Sequence, residues 1–160
     1  MKQLLSFIFI LFTLFNYGQE KIRISLDHYK NYEWTSNPKI SPDGDQILYS
    51  RSWINLIDDK RETDLWIMNK NGATNRFFLN GSNGKWSPDG KKIAFTKKGE
   101  PNGTQIFVKY LGFEGEPTQI TKLEKNPTSM EWSPDGRYIA FIMHVSSEPA
   151  LIPTKIPKKP

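Results

Sequence analysis

Three Ser/Asp pairs, two histidines and one acidic run are the residues whose types and spacing could do chemistry. The pairs lie in Ser41-Pro42-Asp43-Gly44, Ser87-Pro88-Asp89-Gly90 and Ser133-Pro134-Asp135-Gly136. A serine nucleophile needs a general base beside it, most often His. Neither His28 nor His144 stands at a repeated position, and turn composition explains every residue of the tetrapeptide. Pro presets φ near −65°, Asp bonds the local backbone, and Gly takes the left-handed conformation that leads back into a strand. The three pairs therefore read as turns. His28 reads as a surface residue and His144 as a strand-end residue.

Asp58-Asp59 with Glu62 and Asp64 could suggest a calcium loop, but Lys60 and Arg61 interrupt the carboxylates and no Gly stands where such a loop needs one. A solvated charged loop fits better. Lys155, Lys158 and Lys159 among prolines read as solubilising charge, and Trp86 and Trp132 as blade core rather than ligand platforms. Cys 0 excludes a disulfide scaffold, a thiolate zinc site and a cysteine nucleophile, and His 2 argues against a multi-histidine metal centre. No catalytic, cofactor-binding or metal-binding residue is assigned, and no cofactor is expected. With 37% hydrophobic, 24% charged and 13% aromatic residues, the 160-residue chain has the composition of a globular domain. Its net charge of +5 is too mild and too dispersed to point to nucleic acid.

The elements that position these residues are set by a repeat. The tetrapeptides recur at intervals of 46 residues, from Ser41 to Ser87 and from Ser87 to Ser133. Ile40, Trp86 and Trp132 precede them, and Ile47-Leu48-Tyr49, Ile93-Ala94-Phe95 and Ile139-Ala140-Phe141 follow. These triplets read as strands covered on both faces. Third strands are expected at Asp64–Met68 and Gln105–Tyr110, and fourth strands at Asn75–Leu79 and Pro117–Thr121. The stretch Ser52 to Thr63 is expected as a long loop, and Gly99 to Gly103 as a short one. Four antiparallel strands at this period make one blade of a β-propeller. The expected fold is all-β, an incomplete propeller with two full four-stranded blades and the start of a third.

The boundaries follow. Residues 1–18 are a signal peptide, 19–37 a lead-in, 38–83 the first blade, 84–129 the second, 130–145 the first strands of the third, and 146–160 a truncated Pro-rich loop. Within the lead-in, Leu26 to Tyr32 is left open between one helical turn and irregular structure. Met1-Lys2-Gln3 followed by the uncharged apolar run Leu4–Phe15 has the form of a secretory signal. Cleavage is expected after Gly18, giving an exported chain, periplasmic or secreted. The run is short for a bilayer span, so no stable membrane span is expected after cleavage. An uncleaved anchor is the alternative, and without Cys a lipoprotein anchor is excluded.

A propeller needs about 4–8 blades to cover every blade face. Here Ile139, Ala140, Phe141 and Ile142 of the last blade are expected to stay uncovered, which marks the chain as the front of a longer protein or the product of a truncated gene. The repeats resemble the WD-like repeat shared by the periplasmic TolB protein and the propellers of the prolyl oligopeptidase family. Asn37–Gly44 through Tyr49-Ser50-Arg51, Asp64–Asn69, Phe77-Phe78-Leu79 through Gly81–Gly90, Gln105–Val108 and Thr118–Thr121 are more similar to the latter. The nearer likeness is to its exported acylaminoacyl-peptidase or dipeptidyl-peptidase-like branch. That resemblance implies a serine peptidase whose N-terminal propeller caps a C-terminal α/β-hydrolase domain and restricts access to short peptides. It implies as partners the missing blades, the hydrolase domain and peptide substrates. The family's G-x-S-x-G elbow is absent, since Gly81-Ser82-Asn83-Gly84 has the wrong spacing, so no triad carries over and this chain alone is expected to be inactive. The alternative is a TolB-like propeller that serves as a scaffold for protein partners.

Overall fold

The computed structural model describes residues 23–145. The signal sequence, its cleavage point, the Pro-rich stretch 146–160 and its lysines lie outside the described residues. The chain divides into two units, residues 1–31 and 32–160.

In the first unit a short helix, α1 (Leu26–Lys30), resolves the open choice at this segment. The amide N–H of Ser25 donates to His28 Nδ1 at 3.2 Å, and the Ser25 hydroxyl lies 2.7 Å from the same nitrogen. An N-cap residue and its third helical neighbour satisfying each other in this way is a small capping box.

The described residues of the second unit are all-β and form antiparallel sheets. The first sheet holds β1 (Glu33–Ile40), β2 (Gln46–Asn55), β3 (Lys60–Asn69) and β4 (Arg76–Asn80) in that order. The second repeats the order with β5 (Ser82–Trp86), β6 (Lys92–Lys98), β7 (Thr104–Tyr110) and β8 (Thr118–Gln119). The third, within the described residues, pairs β9 (Pro127–Trp132) with β10 (Ile139–Met143). These are two four-stranded blades and the start of a third. Among the described residues no helix is long and apolar enough to cross a membrane.

Three expectations are corrected at this level. The first sheet begins at Glu33, inside the stretch read as a lead-in, and the second and third begin at Ser82 and Pro127 rather than at residues 84 and 130. Each innermost strand reaches back past a β-bulge, which breaks the alternation a sequence reading follows. The stretch Ser52 to Thr63 is no long loop. β2 and β3 stay paired out to Asn55↔Lys60, and only residues 56–59 turn. Polar residues disguise the ladder, yet Ser52 and Thr63 face each other and their hydroxyls lie 2.8 Å apart. In the third sheet Ile139 and Phe141 are packed against the second blade, while Ala140 and Ile142 are exposed, so only half of that strand is uncovered.

Two apolar clusters lie between sheets. Leu48, Leu65 and Leu79 of the first blade pack with Ile93 and Phe95 of the second. Ala94, Ile106 and Val108 of the second pack with Met130 at the start of the third. Ile93, Ala94 and Phe95 are all 0% exposed, because β6 has a neighbour on each face.

Candidate functional site

The tetrapeptides build one corner three times. In the first, the Gly44 amide donates to Ser41 O at 2.9 Å and the Ser41 amide to Gln46 O at 2.8 Å, which closes the link between β1 and β2. The Ser41 hydroxyl donates to Asp43 Oδ1 at 2.5 Å and accepts from the Gln46 amide at 2.9 Å. Asp43 Oδ1 also accepts from the Asp45 amide at 3.0 Å. The second corner has Ser87 to Asp89 at 2.5 Å, the Lys92 amide to Ser87 at 2.9 Å and the Lys91 amide to Asp89 at 3.1 Å. The third has Ser133 to Asp135 at 2.6 Å, the Tyr138 amide to Ser133 at 2.9 Å and the Arg137 amide to Asp135 at 3.0 Å. Glycine is required because φ is +76° at Gly44, +69° at Gly90 and +67° at Gly136.

This wiring excludes nucleophilic chemistry. Each hydroxyl proton is committed to a carboxylate and a lone pair to a backbone amide, and Ser87 is 0% exposed. The hydroxyl donated to it, and after that a backbone amide, hold the carboxyl of Asp43, Asp89 and Asp135 below the usual carboxylate range. A carboxylate so stabilised is a poor base. His28 is exposed in α1 and His144 is exposed just after β10.

The acidic run is also accounted for. Asn55 Nδ2 donates to Glu62 at 2.6 Å and to Asp58 at 3.3 Å, and Asn80 Nδ2 donates to Asp64 at 2.8 Å. Burial pushes the Asp64 carboxyl up, against the pull of Asn80. Among the described residues no group of acidic, His or Cys side chains could hold a metal ion.

What the structure brings together is the seams. Trp86 and Trp132, read as blade core, stand instead at blade borders. Trp86 Nε1 donates to Lys39 O of β1 at 3.0 Å, and Trp132 Nε1 to Lys85 O of β5 at 3.2 Å. A partly buried indole keeps its N–H only where an acceptor meets it, and here the preceding blade's innermost strand supplies one. The corners come close as well: a Cβ at Gly90 would lie 3.6 Å from Pro42 Cδ, and one at Gly136 3.5 Å from Pro88 Cδ. Lys85 and Glu131 form an ion pair across the second seam.

A third seam device was missed in the sequence. Asn37, Asn83 and Ser129 all have left-handed backbone, with φ of +52°, +55° and +50°. Each lies in the innermost strand of its blade at a register shift. The bulge turns the next residue into the preceding blade. Met130 is buried among Ala94, Ile106 and Val108. At Gly84 a Cβ would come within 2.6 Å of Leu48 Cδ2 and 3.0 Å of Leu65 Cδ1, so any side chain there forces those leucines to shift. The signal was present, since these three positions share the 46-residue interval. Their polar residue types hid it.

No family model matches the chain. It is 30% identical over 88 residues to dipeptidyl-peptidase 5 of Porphyromonas endodontalis, covering 52% of this chain and 12% of that protein. The acylaminoacyl peptidase of Pyrococcus horikoshii is similar in structure, at 26% identity and a TM-score of 0.63, over 74% of this chain and 18% of that one. The β-propeller domain of the trilobed protease from Pyrococcus furiosus is similar at 29% identity and a TM-score of 0.59, over 70% of this chain and 34% of that one. The chain thus spans 12% of the length of the curated relatives it matches. Repeated four-stranded blades, one shared corner and likeness to peptidases at the level of both sequence and structure lead to one assignment: the chain is a β-propeller portion similar to those of acylaminoacyl peptidases and related proteases.

Proposed function

We propose that the chain is the N-terminal propeller part of an exported serine peptidase, that it caps the active site and that it admits only short peptides. The observation that carries this reading is the match of the blades to the propeller domain of a protease, together with the absence of any nucleophile in the repeated Ser/Asp pairs. A ring of blades beside a hydrolase domain acts as a sieve, because rigid sheets leave only a narrow channel and exclude folded chains. The catalytic Ser, Asp and His would then come from a downstream domain, with the Ser in a G-x-S-x-G elbow. The basic start and apolar run of residues 1–18 support export.

The test is the reading frame that follows Pro160 in the source genome, expressed as the whole protein. Further blades and a hydrolase domain should follow, and the product should cleave short peptide anilides while leaving a folded protein intact. A reading frame without a hydrolase domain overturns the peptidase reading. For export, N-terminal sequencing of the protein recovered from the cell envelope or medium should begin after Gly18, and recovery only from cytosol contradicts it.

A further inference from the structure

Asn71-Gly72, Asn80-Gly81, Asn83-Gly84 and Asn102-Gly103 are four copies of a dipeptide with chemistry of its own. Glycine leaves its amide nitrogen unshielded beside the side-chain carbonyl carbon of the asparagine, and the two can join in a succinimide ring. That needs the nitrogen free and the side chain able to swing onto it. At three of the pairs the fold engages one or both groups elsewhere. The Gly72 amide donates to Asn69 O at 2.8 Å, and Asn71 Oδ1 accepts from the Ala73 amide at 3.0 Å. Asn80 Nδ2 donates to Asp64 Oδ1 at 2.8 Å, and Gly81 is packed so closely that a Cβ would meet Phe95 Cδ2 at 2.6 Å. Asn83 Nδ2 donates to Thr96 Oγ1 at 3.2 Å, and Gly84 is buried in β5. Asn102-Gly103 is arranged the other way. The Gly103 amide donates to Asn102 Oδ1 at 2.8 Å, which sets that nitrogen beside the Asn102 side-chain carbonyl. Asn102 is exposed, so water reaches it.

We propose that Asn102 is a site of spontaneous covalent modification, deamidation through a succinimide, and that in the folded chain it outpaces the other three pairs. The Gly103 nitrogen attacks Asn102 Cγ and gives up its proton to hydroxide. The Cγ–Nδ2 bond breaks, and Nδ2 leaves as ammonia. Water, the one co-reactant, then opens the ring at either of its carbonyls. Opening at the side-chain carbonyl leaves aspartate. Opening at the main-chain carbonyl leaves isoaspartate, with the backbone running through the former side chain. Either product puts a carboxylate beside Glu100 in the turn between β6 and β7. The isoaspartate also strains the turn's own ties, which are the Gly99 amide on Gly103 O at 3.0 Å and the Thr104 amide on Asn126 Oδ1 at 2.9 Å.

This inference does not rest on the peptidase reading. The test is a time course of peptide mapping by mass spectrometry on the 160-residue chain in mildly alkaline buffer, beside the same chain in denaturant. Cleavage after Lys98 and Lys109 isolates residues 99–109, in which Asn102 is the one asparagine. In buffer that peptide should gain the mass of an amide turned to an acid at close to its rate in denaturant, and faster as the pH is raised. At Asn71, Asn80 and Asn83 the conversion should be at least about tenfold slower in buffer than in denaturant, because each must first break its bond in a local opening. Asn102→Gln, whose longer side chain does not close the same ring, should abolish the gain in residues 99–109 with circular dichroism unchanged, which separates Asn102 from Gln105. Conversion at Asn102 slowed as much as at the other pairs overturns the proposal. So do equal rates at all four pairs in buffer, a faster reaction at Asn71, and a gain that survives Asn102→Gln.

Discussion

The second strands of the first two blades carry nearly the same sequence, Ile-Leu-Tyr and Ile-Ala-Phe, yet they are buried differently. In β6 every residue from Ile93 to Thr96 is buried. In β2 burial alternates, with Leu48, Ser50 and Ser52 covered while Ile47, Tyr49 and Arg51 are only half-buried. The strands are equivalent in the repeat and have equivalent pairing partners. The difference is the number of neighbours: β6 lies between two blades, β2 beside one. Burial of a blade is therefore a property of the ring position and not of the strand. Stability should pass along such an array through nearest-neighbour seams.

The comparison can be broken most forcefully at the aromatic position. Phe95→Ala should cost about 3–5 kcal/mol in denaturant unfolding, as for a large side chain removed from a closed core. Its counterpart Tyr49→Ala should cost about 1 kcal/mol, because that ring faces no second blade. Equal losses would mean that both strands are covered alike. Next comes the bulge. Gly84→Ala forces a methyl group toward Leu48 and Leu65, and should cost about 1–3 kcal/mol as an overpacked core does. Pro38→Ala, at the equivalent exposed position of the first blade, should be close to neutral in the same titration.

How much of this was legible in the sequence divides along the same line. The corner was fully legible, because Ser-Pro-Asp-Gly encodes its own turn and its bonds are local. The strands after each corner were legible from the triplets, and the four-stranded blade from their recurrence. The outward reach of β2 and β3 was not, since Ser52, Thr63 and Glu62 look like loop residues until their cross-strand partners are known. The seams were least legible. The partners of Trp86 and Trp132 lie a whole blade away, and no local pattern names a carbonyl at that distance. The bulges at Asn37, Asn83 and Ser129 went unread for a related reason: their value lies in what the next residue touches in another blade. The three serines were read as turn residues because no histidine repeats beside them, and the corner geometry supplies the physical reason.

Smaller effects sharpen the comparison. Trp132→Phe keeps an aromatic ring but loses the indole N–H and its bond to Lys85 O, a loss that should cost about 0.5–1.5 kcal/mol by thermal or denaturant unfolding. The corners should show up in pH dependence. Asp43, Asp89 and Asp135 have folded values below the unfolded carboxylate value of about 3.9. Their contribution is complete above that value and is lost as the pH falls through the folded values. The melting midpoint should therefore drop more between mildly acidic and strongly acidic buffer for the wild type than for Asp89→Asn, whose side chain does not titrate. Parallel curves would remove the carboxylates from the account.

The most direct test of the claim that neighbours, and not strand sequence, set burial is native-state hydrogen exchange on the 160-residue chain. The slowest amides should be those of Ile93–Thr96 and Ile106–Val108, with the matching amides of β2 and β3 exchanging faster despite their longer ladder. Protection equal in the two blades, or greatest in the first, would contradict the account.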